Sequence, residues 1–265
     1  MASVTTGGGL SGSSIGGLAG LDGVVDGLPL LAGAALSFST SGLAANAYGA
    51  EETTSYGSLS LYGLYEAGPA YVSAIVTAGY GSANLSRNLY NLGLNLATDS
   101  GLDGWILGGR IEAGYSFPLG QTGASLTPFV AFQPIQLWLG SGSEMFTLGP
   151  GLQYDATAIT ALPLYLGVQL DGLWTANNGQ RVAPYLRAAW MHDFNPNRDV
   201  PRSFAELPGL SFSGTAIPTV SNALDLHAGL QFAANPTTTL SAGLDAQIAQ
   251  PYSTFGASAA IRVRW

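Results

Sequence analysis

Over residues 255–265 apolar side chains recur at every second position: Phe255, Ala257, Ala259, Ile261, Val263 and Trp265. Between them stand Gly256, Ser258, Ala260, Arg262 and Arg264. Strand side chains alternate between two faces, so this stretch predicts a strand with one apolar and one polar side, ending on an aromatic residue. The same period of two predicts strands over about 14–25, Leu30 to Phe38, Tyr56 to Tyr65, Tyr71 to Tyr80, Trp105 to Phe117 and Leu126 to about Leu137. It continues over Leu162 to Trp174, Val182 to Phe194, Leu224 to Phe232 and Leu240 to Ile248. These with the last strand make eleven, and residues 2–10 add a weaker twelfth. No segment carries a 3.6-residue period.

The connections alternate in length. Short turns at 26–29, 66–69, 118–123, 175–180 and 235–238 are rich in Gly, Pro, Asn and Asp, the residues tight turns require. Between them lie long stretches at about 39–55, 81–104, 138–161 and 195–223; only 249–254 is short on that side. One end of the sheet is therefore expected to carry tight turns and the other large loops. A transmembrane β-barrel shows this asymmetry, whereas a soluble sandwich has no reason to keep it.

Charge sharpens the choice. From Leu30 onward the predicted strands hold Arg110, Glu112, Asp171, Arg187, Asp193, Asp225, Asp245, Arg262 and Arg264. Each falls on the less apolar face when its strand is phased by its large residues. On a lipid face an arginine near the bilayer midplane would cost about 2–4 kcal/mol, so a barrel must sort its charges in this way. Aromatic residues gather near strand ends, at Trp105, Phe117, Trp174, Trp190, Phe194, Phe232 and Trp265, as in interfacial girdles.

Composition agrees. Only 9% of the 265 residues are charged, against about 25% in ordinary soluble domains. Mean hydropathy is +0.26, yet no run approaches the ~18 apolar residues of a membrane helix. There is no lysine and the net charge is −8, which argues against nucleic acid and against a polybasic lipid anchor. Cysteine is absent, so no disulfide or thiolate metal site can form. Residues 1–6 have neither the basic nor the apolar segment of a signal peptide.

The stretches Trp105–Phe117, Leu126–Phe132 and Val182–Phe194, then a long connection and three closing strands ending Ile261-Arg-Val-Arg-Trp265, resemble the C-terminal translocator domain of autotransporters, the type V secretion proteins. The likeness covers most of residues 14–265. It implies an antiparallel up-and-down barrel of about twelve strands in a Gram-negative outer membrane, with residues 1–13 a Gly/Ser-rich lead-in. It further implies a pore for export and display of an N-terminal passenger, and no enzymatic activity. Implied partners are outer-membrane lipid, the barrel-assembly machinery and the passenger. Phe255, Ile261, Val263 and Trp265 would form the assembly signal. The sequence departs from the family pattern in that neither a passenger nor a helix precedes the first strand. A passive porin-like channel and a soluble β-sandwich or adhesin module are the rival readings.

The pore-lining charges are expected to be Arg110, Glu112, Asp171, Arg187, Asp225, Asp245, Arg262 and Arg264. Arg187, Arg262 and Arg264 would pair with Asp171, Asp225 and Asp245 across strands, or form a charge ladder along the lumen. The only histidines, His192 and His227, phase to opposite faces, and no Gly-x-Ser-x-Gly elbow accompanies them. No catalytic, metal or cofactor site is expected. The glycine run at 7–9 lacks the Lys-Ser/Thr of a phosphate loop, and Arg198–Arg202 reads as solvated.

Overall fold

A computed structural model describes residues 2–6, 10–45, 49–88, 97–120, 123–144, 151–175, 180–204, 207–215, 220–250 and 252–264. Every described element is a strand. In chain order they are β1 (Ala2–Thr6), β2 (Leu10–Val24), β3 (Leu30–Ala45), β4 (Ala50–Ala67), β5 (Ala70–Asn88), β6 (Ala97–Tyr115) and β7 (Phe117–Pro118). Next come β8 (Ser125–Phe132), β9 (Ile135–Leu139), β10 (Gly142–Ser143), β11 (Leu152–Tyr154), β12 (Thr157–Ala161), β13 (Pro163–Asp171) and β14 (Trp174–Thr175). The last are β15 (Arg181–Asp193), β16 (Asp199–Phe204), β17 (Leu207–Thr215), β18 (Asn222–Ala233), β19 (Thr238–Ile248) and β20 (Tyr252–Val263).

Twelve antiparallel strands form the wall, with β8 continued by β9 and β12 continued by β13. Each pairs with its sequence neighbour, as in an up-and-down barrel. β6 meets β8 over Ile111–Gly114 and β9 over Gly104–Gly108. β1, the weak first strand of the sequence pattern, pairs with both β2 and β20, so the ladders return on themselves. β1 is short: it lies beside Ser11–Ser14 of β2 and Tyr252–Gly256 of β20. Below Ala2 no ladder joins β2 to β20 among the described residues, and an ion pair from Arg262 to Asp22 crosses instead. A single missing strand leaves its neighbours about 9–10 Å apart, a span that an arginine and an aspartate can bridge together.

The wall is greasy outside. Leu166 is 46% exposed, Leu244 64% and Ile261 71%, on the same outward face as Trp105 and Leu107. No second layer covers them; the core cluster of Phe129, Ala131, Tyr165, Ala189, Met191 and Ala223 lies on the inward face instead. Inward aromatics also lie over glycines of neighbouring strands: a Cβ on Gly114 would collide with the Tyr71 ring, and one on Gly167 with Phe129. Such pairing fills the space an absent side chain leaves.

At the turn end, Gly27 and Gly68 adopt positive φ of 77° and 63°, which glycine reaches without steric cost. The loop end differs from the sequence expectation. Most of the stretches at 39–55 and 81–104 are strand, because β3, β4, β5 and β6 run 16–19 residues. Their upper parts, such as Ser39–Ala45 and Glu51–Ser55, are small and polar, so no apolar alternation betrays them. The stretches at 138–161 and 195–223 contribute β10, β11, β16 and β17, which pair into a separate four-stranded sheet.

Candidate functional site

The inward residues of β6 read, from the loop end down, Thr98, Ser100, Leu102, Gly104, Ile106, Gly108, Arg110, Glu112 and Gly114. The lumen follows the same division, charged toward the turns and apolar above, with the polar Thr98 and Ser100 at the loop rim.

In the turn-side half, Glu112 is the hub. Its carboxylate accepts from Arg187 Nη2 at 2.6 Å, Arg110 Nη2 at 2.8 Å and the Tyr71 hydroxyl at 2.8 Å. Arg187 stands three ladders away, so its side chain passes over β13 and β8 to reach Glu112. It can lie flat there because Phe129 offers a ring face 3.5 Å below its guanidinium; Arg110 lies 4.5 Å over Tyr165. Gln133 accepts from Arg110 at 2.9 Å and Gln169 from Arg187 at 3.3 Å. The glutamate side chain keeps only 9% of its exposure, so each of its oxygens needs these donors. A cavity of about 660 Å³ opens beside the cluster, lined also by Asp171, Tyr185, Asp225 and His227.

Seven of the eight expected charges stand within strands at positions opposite in phase to the exposed apolar residues, and Arg264 follows the end of β20; their pairing differs from expectation. Arg110, Glu112 and Arg187 come together. Asp171 accepts from Gln169 at 2.8 Å, and Asp225 sits 3.2 Å from His227. Asp245 lies over Gly256, where no side chain intervenes. Arg262 reaches Asp22, which also accepts from the Tyr62 hydroxyl at 3.2 Å. Arg264 is exposed at the turn end, its amide donating to Thr237. Arg187 therefore takes a partner three ladders away over the aspartates on nearer strands, because its guanidinium plane, laid on Phe129, fixes where its donors point. Of the C-terminal group, Phe255, Ile261 and Val263 are outward and exposed, and Trp265 lies outside the described residues. His192 bonds Asn222, stacks on Trp190 and meets Phe194 edge-on, while His227 points inward.

Sequence reasoning missed the fastenings of the loop side. Arg198 is not simply solvated: it bridges Asp193 at 2.5 Å and donates to the carbonyls of Thr160 and Asn195. Asp193 is buried and also accepts from the amides of Leu162 and Asn195. Arg87 of β5 grips buried Glu144 at 2.6 Å, and Glu144 accepts from the Leu152 amide and the Tyr154 hydroxyl. Burial, reinforced by the neighbouring Glu144 carboxylate, raises the Tyr154 hydroxyl above the ordinary tyrosine range. Leu152, Tyr154 and Val200 form a small core against Leu102, Leu139, Ile159 and Phe204, tying the loop sheet to the barrel rim. The one available signal was composition: each run that carries these charges also holds large apolar residues, which a solvated loop does not need.

No curated protein sequence matches the chain. Among solved structures it is similar to the translocator domain of the autotransporter NalP from Neisseria meningitidis, with a TM-score of 0.83 at 15% identity, covering 100% of this chain and 85% of that one. It is also similar to the β domain of the Bordetella autotransporter BrkA (TM-score 0.68, 17% identity, 100% and 96% covered). The transport unit of AIDA-I from Escherichia coli aligns with a TM-score of 0.58 at 12% identity, covering 100% and 87%. The autotransporter beta-domain family model matches residues 3–245. The chain therefore belongs to the autotransporter β-domain family, as an outer-membrane barrel that translocates and anchors a passenger.

Proposed function

We propose that the turn-side lumen is the wetted surface past which the passenger segment moves, and that the last strand carries the signal read by the barrel-assembly machinery. The observation that supports the first part is the self-contained pairing of the Glu112 cluster. Glu112 satisfies two arginines, so the most buried charges of this wall are compensated among themselves and the remaining polar groups keep it hydrated. Arg110, Glu112, Asp171, Arg187, Asp225 and Asp245 line this face, and Arg262 and Arg264 continue it toward the turn end. The second part rests on the outward phase of Phe255, Ile261 and Val263, on a strand whose far edge meets only the short β1. The domain works by geometry and not by catalysis: the outer face binds lipid, the ladders satisfy the backbone, and the lumen offers water.

The test is surface display. A short epitope joined before residue 1 should be removed by protease added to intact cells, and deletion of residues 255–265 should abolish both display and membrane insertion. An epitope that stays protected while the barrel is inserted would refute the translocator role. Normal insertion without the last strand would refute the assembly signal.

A further inference from the structure

The four-stranded loop sheet is joined to the barrel without a ladder among the described residues. Its chain leaves the wall after Leu139 and re-enters at Thr157, then leaves after Asp193 and re-enters at Asn222. It does not stand clear of the mouth. Leu152, Tyr154 and Val200 pack on Leu102, Leu139 and Ile159, which line the lumen near the rim. Beneath lies an apolar chamber of about 520 Å³, with Glu52 of β4 on one side, Tyr252 of β20 on another, and Tyr154, Val200 and Arg202 of the loop sheet above. The loop sheet therefore crosses the opening.

Two catches hold it, built in opposite senses. Buried Glu144 of the loop meets Arg87 of the wall, and buried Asp193 of the wall meets Arg198 of the loop. Yet the closed contact is incompletely satisfied. Thr98 Oγ1, Ser100 Oγ and Arg202 Nε are buried with no hydrogen-bond partner among the described residues. All three lie at this contact. Thr98 stands opposite Arg87 in the β5–β6 ladder, Ser100 is two residues from Leu102 on the same face, and Arg202 lies opposite Tyr154 across β11 and β16. A buried polar atom without a partner is stabilised by exposure to water, so a molecule opens first where such atoms collect.

We infer that the loop sheet is a lid, which closes the outer mouth of the lumen and swings out as a body when polypeptide is exported. Opening breaks two ion pairs and a small apolar contact but no wall ladder, and it returns water to Thr98, Ser100 and Arg202. A chain in the mouth favours the open state. Its carbonyls can accept from Arg202 and its amides can donate to Glu52, whose carboxylate otherwise takes only the Thr54 hydroxyl among the described residues. Only the open state rests on the translocator reading; closure stands on the contacts alone.

The experiment places single cysteines in the full chain, in the outer membrane of intact cells, and adds a bulky polyethylene-glycol maleimide from outside. Ala83→Cys lies on the chamber wall and Ser211→Cys on the exposed loop sheet. The first should label at least about tenfold more slowly than the second. Adding Arg87→Ala or Arg198→Ala leaves a buried carboxylate without its counter-charge, so each should speed labelling at Ala83→Cys by at least about tenfold. Leu107→Ala, on the outward face, should not change it. Heat-modifiable gel mobility reports that each barrel is folded, and either arginine variant suffices should the other misfold. Display of an epitope joined before residue 1 is scored on the same cells, which separates a missing lid from a barrel that does not translocate. Ala83→Cys labelling as fast as Ser211→Cys in the otherwise native chain, or unchanged slow labelling in the folded arginine variants, would each overturn the proposal.

Discussion

The two halves of the lumen are built from the same twelve strands and obey opposite rules. Toward the turns the inward face carries charge, and stability rests on one carboxylate shared by two arginines. Toward the loops the inward face is apolar, and its charges, Arg198–Asp193 and Arg87–Glu144, sit at the rim as fasteners of loop segments. Alternation along a strand separates wall from lumen but is silent on what the lumen is for. Position along the barrel axis decides whether an inward residue meets water, a charged neighbour or a greasy cap.

The largest effect should come from the hub of the charged half. Glu112→Ala strands two arginines in a partly buried site, and removing one partner of a buried pair costs about 3–5 kcal/mol. Denaturant unfolding of vesicle-inserted protein, followed by tryptophan fluorescence, should shift by that amount; an unchanged midpoint would mean that Arg110 and Arg187 are solvated. The corresponding cut in the apolar half is smaller. Arg198→Ala removes one of three donors to Asp193, and a buried acceptor left short costs about 1–3 kcal/mol. It should speed proteolysis at the loop end while leaving the barrel melting point nearly in place; equal loss at both ends would show that the halves are not separable.

Tyr154 offers a pH test of the loop sheet. Its hydroxyl titrates above the ordinary value of 10.0, so the neutral form is favoured by the fold. Its contribution is whole below about pH 10 and is lost as pH rises through the raised value. Tyr154→Phe removes the bond to Glu144, should cost about 0.5–1.5 kcal/mol, and should remove this alkaline sensitivity. Persistence of the same sensitivity in the variant would assign it elsewhere. The smallest effect is expected at the seam. Arg262→Ala breaks the partly exposed pair with Asp22 and should change stability by no more than about 1 kcal/mol. A loss of several kcal/mol would show that this pair, and not β1, holds the barrel together.

The wall was legible in the sequence because each strand in the membrane must hide its charges from hydrocarbon. Trp105, Leu107 and Ile111 against Arg110 and Glu112 leave one phase possible. The upper strands were not legible: Ser39–Ala45 and Glu51–Ser55 carry mostly small or polar residues at both phases, so no alternation marks them. The apolar chamber was hidden for the opposite reason. The strand phase turns Ile106 inward between outward Trp105 and Leu107, but nothing in the sequence says which inward residues of distant strands meet it there. The sharing of Glu112 was also out of reach, since it joins residues 75 apart in sequence on strands that are not neighbours.

The central claim is that hydrocarbon bathes one face of this wall while an enclosed aqueous lumen meets the other. The chain has no cysteine, so single cysteines can be placed at will. Leu166→Cys, Leu244→Cys and Ile261→Cys, carrying a fluorophore in vesicles, should be quenched by brominated lipid and react slowly with a charged maleimide. Gln169→Cys and Asp245→Cys should react readily with that maleimide and escape the lipid quencher. Reversal of this pattern, or equal behaviour of the two sets, would contradict the account.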